Sequence, residues 1–337
     1  MVQIRNTDKG DVWFVYDGEC PICQTAASGL TIQKAVGKLH LINARDDHDH
    51  PVVKEINAKG LNLDTGMVIK FKNVYYHGND ALQVMALLGA KQGWFNRIMY
   101  LLFRSAFFAQ LIYPFMRGMR NFLIFCKGSG KINNLQNAQD KFIIFQNIFG
   151  DQWDNLPSVM HKHYANRAYT NDITVMKGVM AIESSGMAKI MSPAFRLLGT
   201  LVPYDDEDIP VTVTALSNPN TAQYIFDREF RFKDRKAYRF KSAMEHVGGN
   251  EVVEFMRFGV GWRSAFNWDG EKVSLEHRGY VWRIFGVLLP LPMTWLMGKG
   301  YAEEIPLSKS TFKMKMYIHH PWWGKIYEYR GTFKIVS

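Results

Sequence analysis

The first ninety residues alternate short apolar runs with amphipathic stretches. The run Val-Trp-Phe-Val-Tyr at 12–16 is rich in β-branched and aromatic residues and ends at Asp17-Gly18, which predicts a buried strand. A helix is predicted from Pro21 to about residue 35, because the first helical position does not need the N–H that proline lacks. Five further elements follow: strands at 38–43, 67–71 and 74–76, and helices at 51–58 and at 79–88, the last capped by Asn79. The predicted order is βαβαββα.

The segment 91–126 is expected to form two helices rich in aromatic and basic residues, with a break at Pro114. After them, Lys-Gly-Ser-Gly-Lys-Ile-Asn-Asn at 127–134 has a composition typical of a linker. We therefore place an α/β first domain at 1–130, with these helices trailing it, and a second domain at 140–337.

Beyond the linker, partial period-two alternation and turn residues replace the helical pattern. Nine strands are predicted, at 173–180, 211–216, 222–232, 238–246, 251–259, 262–269, 272–277, 311–319 and 325–335, with one helix at about 187–198. We expect a mainly antiparallel α+β domain built on a curved sheet or half-barrel.

Length and composition agree with two folded domains. The chain has 337 residues, of which 47% are hydrophobic and 21% charged, values typical of a folded protein and not of a disordered or multi-span membrane chain. The N-terminal segment lacks the apolar core of a secretory signal, and three cysteines are too few for a disulfide framework. We therefore expect a cytoplasmic protein.

The net charge of +10 is unevenly distributed, because no Asp or Glu lies between Asp80 and Asp140. Seven basic residues are interleaved with aromatic ones in this window: Lys91, Arg97, Arg104, Arg117, Arg120, Lys127 and Lys131. This pattern suits helices that pack on the protein, or a peripheral contact with the anionic inner face of a membrane. A nucleic-acid partner is disfavoured because no nucleic-acid-binding motif accompanies the charge. The uncharged run at 105–116 has 12 residues, fewer than the roughly 20 that span a bilayer.

The strongest chemical signal is Cys20-Pro21-Ile22-Cys23 at the predicted start of the first helix. A helix N-terminus stabilises an anion, so Cys20 is the predicted nucleophilic thiolate. Cys23, three residues later on the same helical face, can attack a mixed disulfide at Cys20 and act as the resolving thiol. Asp17 and Glu19 oppose the helix end because carboxylates raise a thiol pKa, so the net pKa shift and the redox direction stay open.

Two other interpretations of the CxxC motif remain. A zinc site would need two more ligands, and Cys126, His48 and His50 are the candidates, although Cys126 lies in an apolar run and is expected to be a buried hydrophobe. Alternatively, the first domain could be a folded but catalytically silent binding module. We expect no cofactor and no metal ion.

The motif Tyr16-Asp17-Gly18-Glu19-Cys20-Pro21-Ile22-Cys23 and the downstream Tyr75-Tyr76-His77-Gly78-Asn79-Asp80-Ala81 resemble the DCC family of thiol-disulfide oxidoreductases. Tyr113, Arg117 and Arg120 resemble the late helix of that family, so the resemblance covers roughly 10–125. It implies a thioredoxin-like fold, a redox-active dithiol at Cys20 and Cys23, and supporting roles for Tyr16, Asp17, Gly18 and Pro21. One departure from thioredoxins is that Asp-Thr-Gly-Met at 64–67 stands where they carry a cis-proline.

The second half resembles a domain of unknown function that occurs fused to DCC-type and saccharopine-dehydrogenase-like modules. The resemblance rests on Asp-Arg-Glu-Phe-Arg-Phe at 227–232, Leu-Pro-Leu-Pro at 289–292 and Gly-Lys-Ile-Tyr-Glu-Tyr-Arg-Gly at 324–331. Many aromatic residues and methionines on a strand framework suit either an ordinary core or a hydrophobic ligand. Four arginines could line one end of such a cavity or form a solvated face: Arg228, Arg231, Arg235 and Arg239.

The sequence therefore predicts a thiol-disulfide oxidoreductase, with a protein or small-molecule disulfide as its substrate. Its second domain would bind an apolar ligand or a membrane-associated partner. The alternative is a non-enzymatic thioredoxin-like adaptor or membrane-surface binding protein.

Overall fold

The computed structural model describes residues 10–30, 32, 36–89, 94–103, 105–138, 141–199, 201–284 and 287–336. The chain folds as two compact units, Met1–Asp140 and Lys141–Ser337. The end of the predicted first helix, at 31 and 33–35, and the basic residues Lys91 and Arg104 lie outside the described residues.

A four-stranded sheet forms the centre of the first unit. Strand β1 (Val12–Tyr16) pairs in parallel with β2 (Leu39–Asn43) and antiparallel with β3 (Val68–Phe71). Strand β4 (Val74–His77) extends the sheet beyond β3, which gives the order β2-β1-β3-β4. The predicted α/β class is confirmed, and β1 has the bounds that its apolar run predicts.

Six helices of the first unit are described: α1 (Pro21–Gly29), α2 (Pro51–Ala58), α3 (Asn79–Leu88), α4 (Trp94–Phe103), α5 (Ala106–Cys126) and α6 (Asn134–Asn137). Three predictions about them are wrong. Helix α1 ends at Gly29 and not at about residue 35, because Leu30 at its C-terminal end is extended. Helix α3 is capped by Gly78 and not by Asn79, because Gly78 has a φ of 61° and lies so close to the Tyr113 ring that a Cβ would collide with it. Helix α5 continues through Pro114 for 21 residues.

The side chains of β1 alternate between two cores. Val12 and Phe14 join a cluster with α1, α3, α4 and α5, whereas Val15 joins a second cluster around α2 that includes Val53 and Ile56. The sheet is therefore covered on both faces. No helix among the described residues is long and apolar enough to cross a membrane.

The segment predicted as a flexible linker is bound to the first unit. The Asp64 carboxylate accepts the backbone N–H groups of Ile132 and Asn133 at 2.7 and 2.9 Å. Buried Asn134 accepts the Leu63 N–H at 2.9 Å and donates to the Leu61 carbonyl at 3.0 Å. These bonds satisfy backbone groups of both segments, so 132–134 belongs to the fold.

The second unit has eleven described strands, all antiparallel. They are β5 (Ile173–Ser184), β6 (Asp206–Asn218), β7 (Thr221–Phe230), β8 (Tyr238–Gly248), β9 (Glu251–Phe255), β10 (Val260–Trp268), β11 (Val273–Ile284), β12 (Val287–Leu291), β13 (Lys299–Pro306), β14 (Thr311–His320) and β15 (Gly324–Ile335). All nine predicted strands are present. The two that the sequence pattern missed are β12, which contains Pro290, and β13, which begins with Lys-Gly and carries Glu303 and Glu304.

The strands run in the order β10-β9-β8-β7-β6-β5-β15-β14-β13-β11, and β10 also pairs with β11. Ten strands therefore close into an antiparallel barrel, and β12 adds to β11 outside this ring. The predicted antiparallel fold class of the second domain is confirmed. The sheet closes completely and is not a half-barrel, and closure removes the unpaired edges of an open sheet.

Helical segments fill part of the barrel core. Helix α7 (Ile144–Phe149) places Phe145 within 4.9 Å of the Tyr224 ring and 5.3 Å of the Phe266 ring. A 3-10 helix at 150–155, α8 (Ser158–His163) and the predicted helix α9 (Gly186–Leu198) join the same core, and α10 (Thr294–Met297) is one short turn.

We predict that Asp64→Ala will release the segment after α5. Loss of the carboxylate leaves the N–H groups of Ile132 and Asn133 without their acceptor, so trypsin should cleave after Lys131 several-fold faster than in the parent protein. Limited proteolysis followed by mass spectrometry measures this rate. Asp49→Ala, at an exposed carboxylate of the same unit, is the control. Equal cleavage of both variants would contradict the role of Asp64.

Candidate redox site

The two cysteines of the Cys-Pro-Ile-Cys motif lie where β1 leads into α1. Cys20 is the N-cap of α1, with Pro21 at the first helical position, and the Cys20 Sγ accepts the Cys23 backbone N–H at 3.1 Å. Cys23 lies on the buried face of α1. Both thiols are free, and both residues are at most 2% exposed. The sequence predicts this placement at the helix end, but not that both sulfurs are closed off from solvent.

A buried carboxylate stands next to the dithiol. Asp17 accepts two hydrogen bonds from the Arg45 guanidinium, at 2.6 and 3.2 Å, and one from Arg120 at 2.9 Å. It also accepts the backbone N–H of Glu19 at 3.0 Å, which shapes the turn before Cys20. Burial alone would raise the pKa of Asp17, but the hydrogen bond from Arg45 and the two positive charges lower it below its usual value.

Arg120 approaches this site from α5. Its guanidinium donates to the carbonyls of Leu63, at 3.2 Å, and Asp64, and it is 6% exposed. Its Nε has no hydrogen-bond partner within the described part of the chain. The positive charge of Arg120 interacts with both Cys20 and Cys23. The sequence analysis considered only the carboxylates of Asp17 and Glu19 near the thiols and missed this charge.

The surroundings shift the pKa values of the two thiols in opposite directions. The hydrogen bond from Cys23 lowers the pKa of Cys20 to about 6 against the effect of burial, and the charge of Arg120 lowers it further while Asp17 raises it. The hydrogen bond to Cys20 and burial raise the pKa of Cys23 well above its usual value. Near neutral pH the pair therefore favours one thiolate, at the N-terminal cysteine.

Three predicted supporting residues shape the turn. Gly18 donates its N–H to the Asn43 Oδ1 at 2.9 Å, and a Cβ at this position would overlap the Asn43 side chain, so a larger residue would displace that side chain. Tyr16 stacks on Phe14 with ring centroids 5.4 Å apart. Pro21 begins α1 as the sequence predicts.

The stretch that replaces the thioredoxin cis-proline is held by α5. Tyr113 donates its hydroxyl to the Thr65 carbonyl at 2.6 Å, and a Cβ at Gly66 would overlap that hydroxyl. His77 lies 3.0 Å from the Asn62 carbonyl, and burial lowers its pKa to about 4. Helix α5 therefore fixes the chain segment that follows Asp64.

The alternative ligands of a zinc site have other positions. His50 is the N-cap of α2 and accepts the Val52 N–H at 3.1 Å, while His48 is exposed beside Asp49. Cys126 is exposed at the end of α5, so the expectation of a buried hydrophobe is wrong. Among the described residues no group of three or more His, Cys, Asp or Glu could hold a metal ion.

Sequence reasoning missed Arg45, and it counted Arg120 among the basic residues available to a membrane. Arg45 lies 28 positions after Asp17 and Arg120 lies 103 positions after it. The resemblance of Arg120 to the late helix of the DCC family was the one signal in the sequence that could have placed this residue near the dithiol.

A thioredoxin-like sheet with a cysteine pair at the start of its first helix defines a class of dithiol proteins. Residues 14–126 match the family model of the DCC1-like thiol-disulfide oxidoreductases, and residues 156–333 match that of a domain of unknown function, DUF4166. The chain belongs to the DUF4166 family, whose model covers more than half of it, and its first unit carries a DCC1-like thiol-disulfide oxidoreductase domain. Both resemblances inferred from the sequence are thereby confirmed.

Other comparisons add little. No curated protein matches the chain significantly. Among solved structures, the dehydratase domain of the polyketide PpsC from Mycobacterium tuberculosis aligns with 56% of this chain and 84% of its own, at 5% identity and a TM-score of 0.13. A TM-score this low supports no conclusion about fold or function.

We predict that Arg120→Gln raises the pKa of Cys20. Removing the guanidinium takes away a charge that favours the thiolate and leaves Asp17 less neutralised, so the midpoint should rise from about 6 by about one unit. The ultraviolet absorbance of the thiolate, followed against pH in the reduced protein, measures this midpoint even though the sulfurs are buried.

Arg117→Gln, in the same helix, is the matched control, and Arg120→Lys should retain part of the effect because it keeps the charge. An unchanged midpoint in Arg120→Gln would show that Arg120 does not stabilise the Cys20 thiolate.

Proposed function

We propose that the first unit exchanges its dithiol with a disulfide substrate through Cys20 and Cys23. The observation that carries this proposal is the position of Cys20 as the N-cap of α1, where its Sγ accepts the Cys23 backbone N–H at 3.1 Å. The lowered pKa of Cys20 beside the raised pKa of Cys23 agrees with it. The DCC1-like family match at 14–126 supports a redox role.

In the reducing direction, the Cys20 thiolate attacks one sulfur of the substrate disulfide and the other sulfur leaves as a thiolate. Cys23 then loses its proton and attacks Cys20, which forms the Cys20–Cys23 disulfide and releases the second substrate thiolate. Two electrons pass from the dithiol to the substrate, and the oxidising direction is the reverse. Because both sulfurs are buried, the substrate reaches Cys20 only after a local rearrangement.

We predict that a Cys23→Ser variant accumulates a mixed disulfide at Cys20, whereas Cys20→Ser does not. Both variants are made with Cys126→Ser, because Cys126 is an exposed thiol that would react by itself. A model disulfide such as oxidised glutathione is the probe, and intact-mass spectrometry identifies the adduct. The parent with only Cys126 replaced should instead form an internal disulfide that dithiothreitol reverses. Equal adduct formation at Cys20 and Cys23 would contradict the assigned roles.

We also propose that the second unit binds an apolar molecule inside its barrel. Support comes from the interior, where two cavities are lined mainly by aromatic residues and methionines.

A second proposed function of the first unit is contact with an anionic membrane surface through α4 and α5. The apolar side chains of one face of α5 are exposed, with Phe115 76%, Phe122 64% and Phe125 80% accessible, and Leu101 on α4 is 66% accessible. Exposed apolar patches of this kind mark interaction sites, and the absence of acidic residues from this segment of the sequence favours an anionic partner.

The positive charge available to this surface is smaller than the sequence suggested. Arg120 is buried on Asp17, and Lys127 lies 3.5 Å from the Glu19 carboxylate. Arg97 and Lys131 are exposed. Membrane contact would therefore depend more on the aromatic side chains than on charge.

We predict that Phe115→Ser combined with Phe122→Ser strongly reduces sedimentation with anionic vesicles. Serine removes most of the apolar area that would enter the headgroup boundary, worth about 1.5–3 kcal/mol for each side chain. Binding of the parent should also weaken as salt rises, since each basic residue contributes about 1 kcal/mol through a screened attraction.

Leu41→Ser combined with Val74→Ser, at exposed apolar positions elsewhere in the first unit, is the matched control. Equal recovery with neutral and anionic vesicles would refute the preference for an anionic surface, and no recovery with either would refute membrane contact. A parent dimer that the Phe variant converts to a monomer would assign the face to self-association.

A further inference from the structure

The barrel interior holds two adjoining cavities, each with a volume of about 70 Å³. Five residues line both of them: Arg228, Glu254, Trp262, Met316 and Tyr329. A partly buried ion pair, Arg228 with Glu254, whose side chains are 13% and 16% exposed, therefore lies between two largely apolar spaces.

The walls of the cavities are adaptable. Eight methionines line one cavity or the other: Met176, Met180, Met244, Met256, Met293, Met297, Met314 and Met316. Methionine is unbranched and polarisable, so it repacks around ligands of different shape at low cost. Such walls suit an apolar ligand larger than either cavity as it stands.

The ion pair between the cavities is held by hydrogen bonds and by a neighbouring aromatic ring. Arg228 donates to the Ser242 Oγ at 2.7 Å and to the Glu254 Oε1 at 2.9 Å, and its guanidinium lies 4.8 Å from the Phe226 ring centroid. The charge of Arg228 and the charge of Glu254 are therefore already engaged with each other.

A second polar cluster faces one of the cavities. Tyr164 donates its hydroxyl to Glu304, and the His163 Nε2 lies 3.3 Å from the Glu304 carboxylate. The other ring nitrogen, Nδ1, has no hydrogen-bond partner in the described ranges, although the residue is 3% exposed. A buried polar group without a partner costs about 1–3 kcal/mol. His163 therefore offers an open hydrogen-bonding position to a ligand.

The charges of the interior select the ligand class. Burial raises the pKa of Glu304, but His163, Tyr164 and Arg228 bring it below its usual value, so this carboxylate is ionised at neutral pH. An anionic ligand would meet two carboxylates, Glu254 and Glu304, and one arginine that is already paired. An ammonium group would lose its hydration and needs three acceptors. A hydroxyl both donates and accepts, so it can pair with the Nδ1 of His163 whether that nitrogen carries a proton or not.

We propose that the barrel binds an uncharged apolar molecule carrying one hydroxyl group. The hydroxyl pairs with His163, and the apolar part lies along the methionine-lined walls. This inference rests on the apolar-ligand role proposed for the second unit and adds the chemical class and the polar anchor.

Calorimetric titration of the full chain with 1-hexanol, hexanoate and hexylamine tests the class. At about pH 8 hexanoate and hexylamine are charged and hexanol is not. Hexanol should bind with one-to-one stoichiometry, and the two charged analogues about a hundredfold more weakly, because each would lose its hydration next to charges that are already paired with protein groups.

Three variants test the site. His163→Phe removes the polar anchor but keeps a ring, and should weaken hexanol binding about tenfold, the effect of one lost hydrogen bond in a buried site. Ala302→Leu fills the cavity that His163 faces and should abolish binding. Val179→Leu, at an exposed position of β5, should change nothing. Thermal unfolding of each variant establishes that it is folded.

Different outcomes would contradict the ligand class, the binding of an apolar ligand and the role of His163. Hexanoate or hexylamine binding as tightly as hexanol would overturn the ligand class and leave an apolar site in the barrel. No binding of any of the three compounds to the folded protein would overturn ligand binding itself. Unchanged hexanol affinity in His163→Phe would overturn the assignment of the anchor.

Discussion

The buried carboxylate of Asp17 is the group on which the first unit depends. It joins the turn after β1 to Arg45 and to Arg120 of α5. Arg45 extends the connection to the Gly130 carbonyl at 2.7 Å, and Arg120 extends it to the carbonyls of Leu63 and Asp64. Removing one partner of a buried pair costs about 3–5 kcal/mol because it leaves an uncompensated charge. One side chain thus connects segments that are far apart in the sequence.

The same network sets the environment of the dithiol. Asp17 raises the pKa of both cysteines, whereas Arg120 lowers it for both, and the hydrogen bond between the thiols separates their proton affinities. A thiolate that its surroundings stabilise favours the reduced form of a dithiol, so groups that shift the pKa of Cys20 also shift the balance between dithiol and disulfide. The unit can therefore tune its chemistry through a group on α5, without changing the Cys-Pro-Ile-Cys turn.

Local patterns account for what the sequence predicts well. The bounds of β1 and α2 follow from apolar runs and from prolines at helix starts, which act over a few residues. The cap of α3 depends on Tyr113, a distant residue that requires glycine at position 78. Closure of the barrel depends on the pairing of β10 with β11, and strand β13 escapes detection because it lacks an apolar run. These features depend on contacts between residues far apart in the sequence, or on strands without the usual hydrophobic pattern, so local periodicity does not predict them.

Strand β7 shows where period-two alternation carries more information than composition. Tyr224, Phe226 and Phe230 are buried in the barrel core, Ala222 packs against it, and Arg228 belongs to the same alternate row and lines both cavities. Its neighbour Asp227 belongs to the other face, where it pairs with exposed Arg239 and Lys241. The sequence analysis considered the arginines of this region as one group. Of these, Arg228 alternates along β7 with residues that face the barrel core. The alternation of that single strand was therefore sufficient to separate an interior charge from a surface charge.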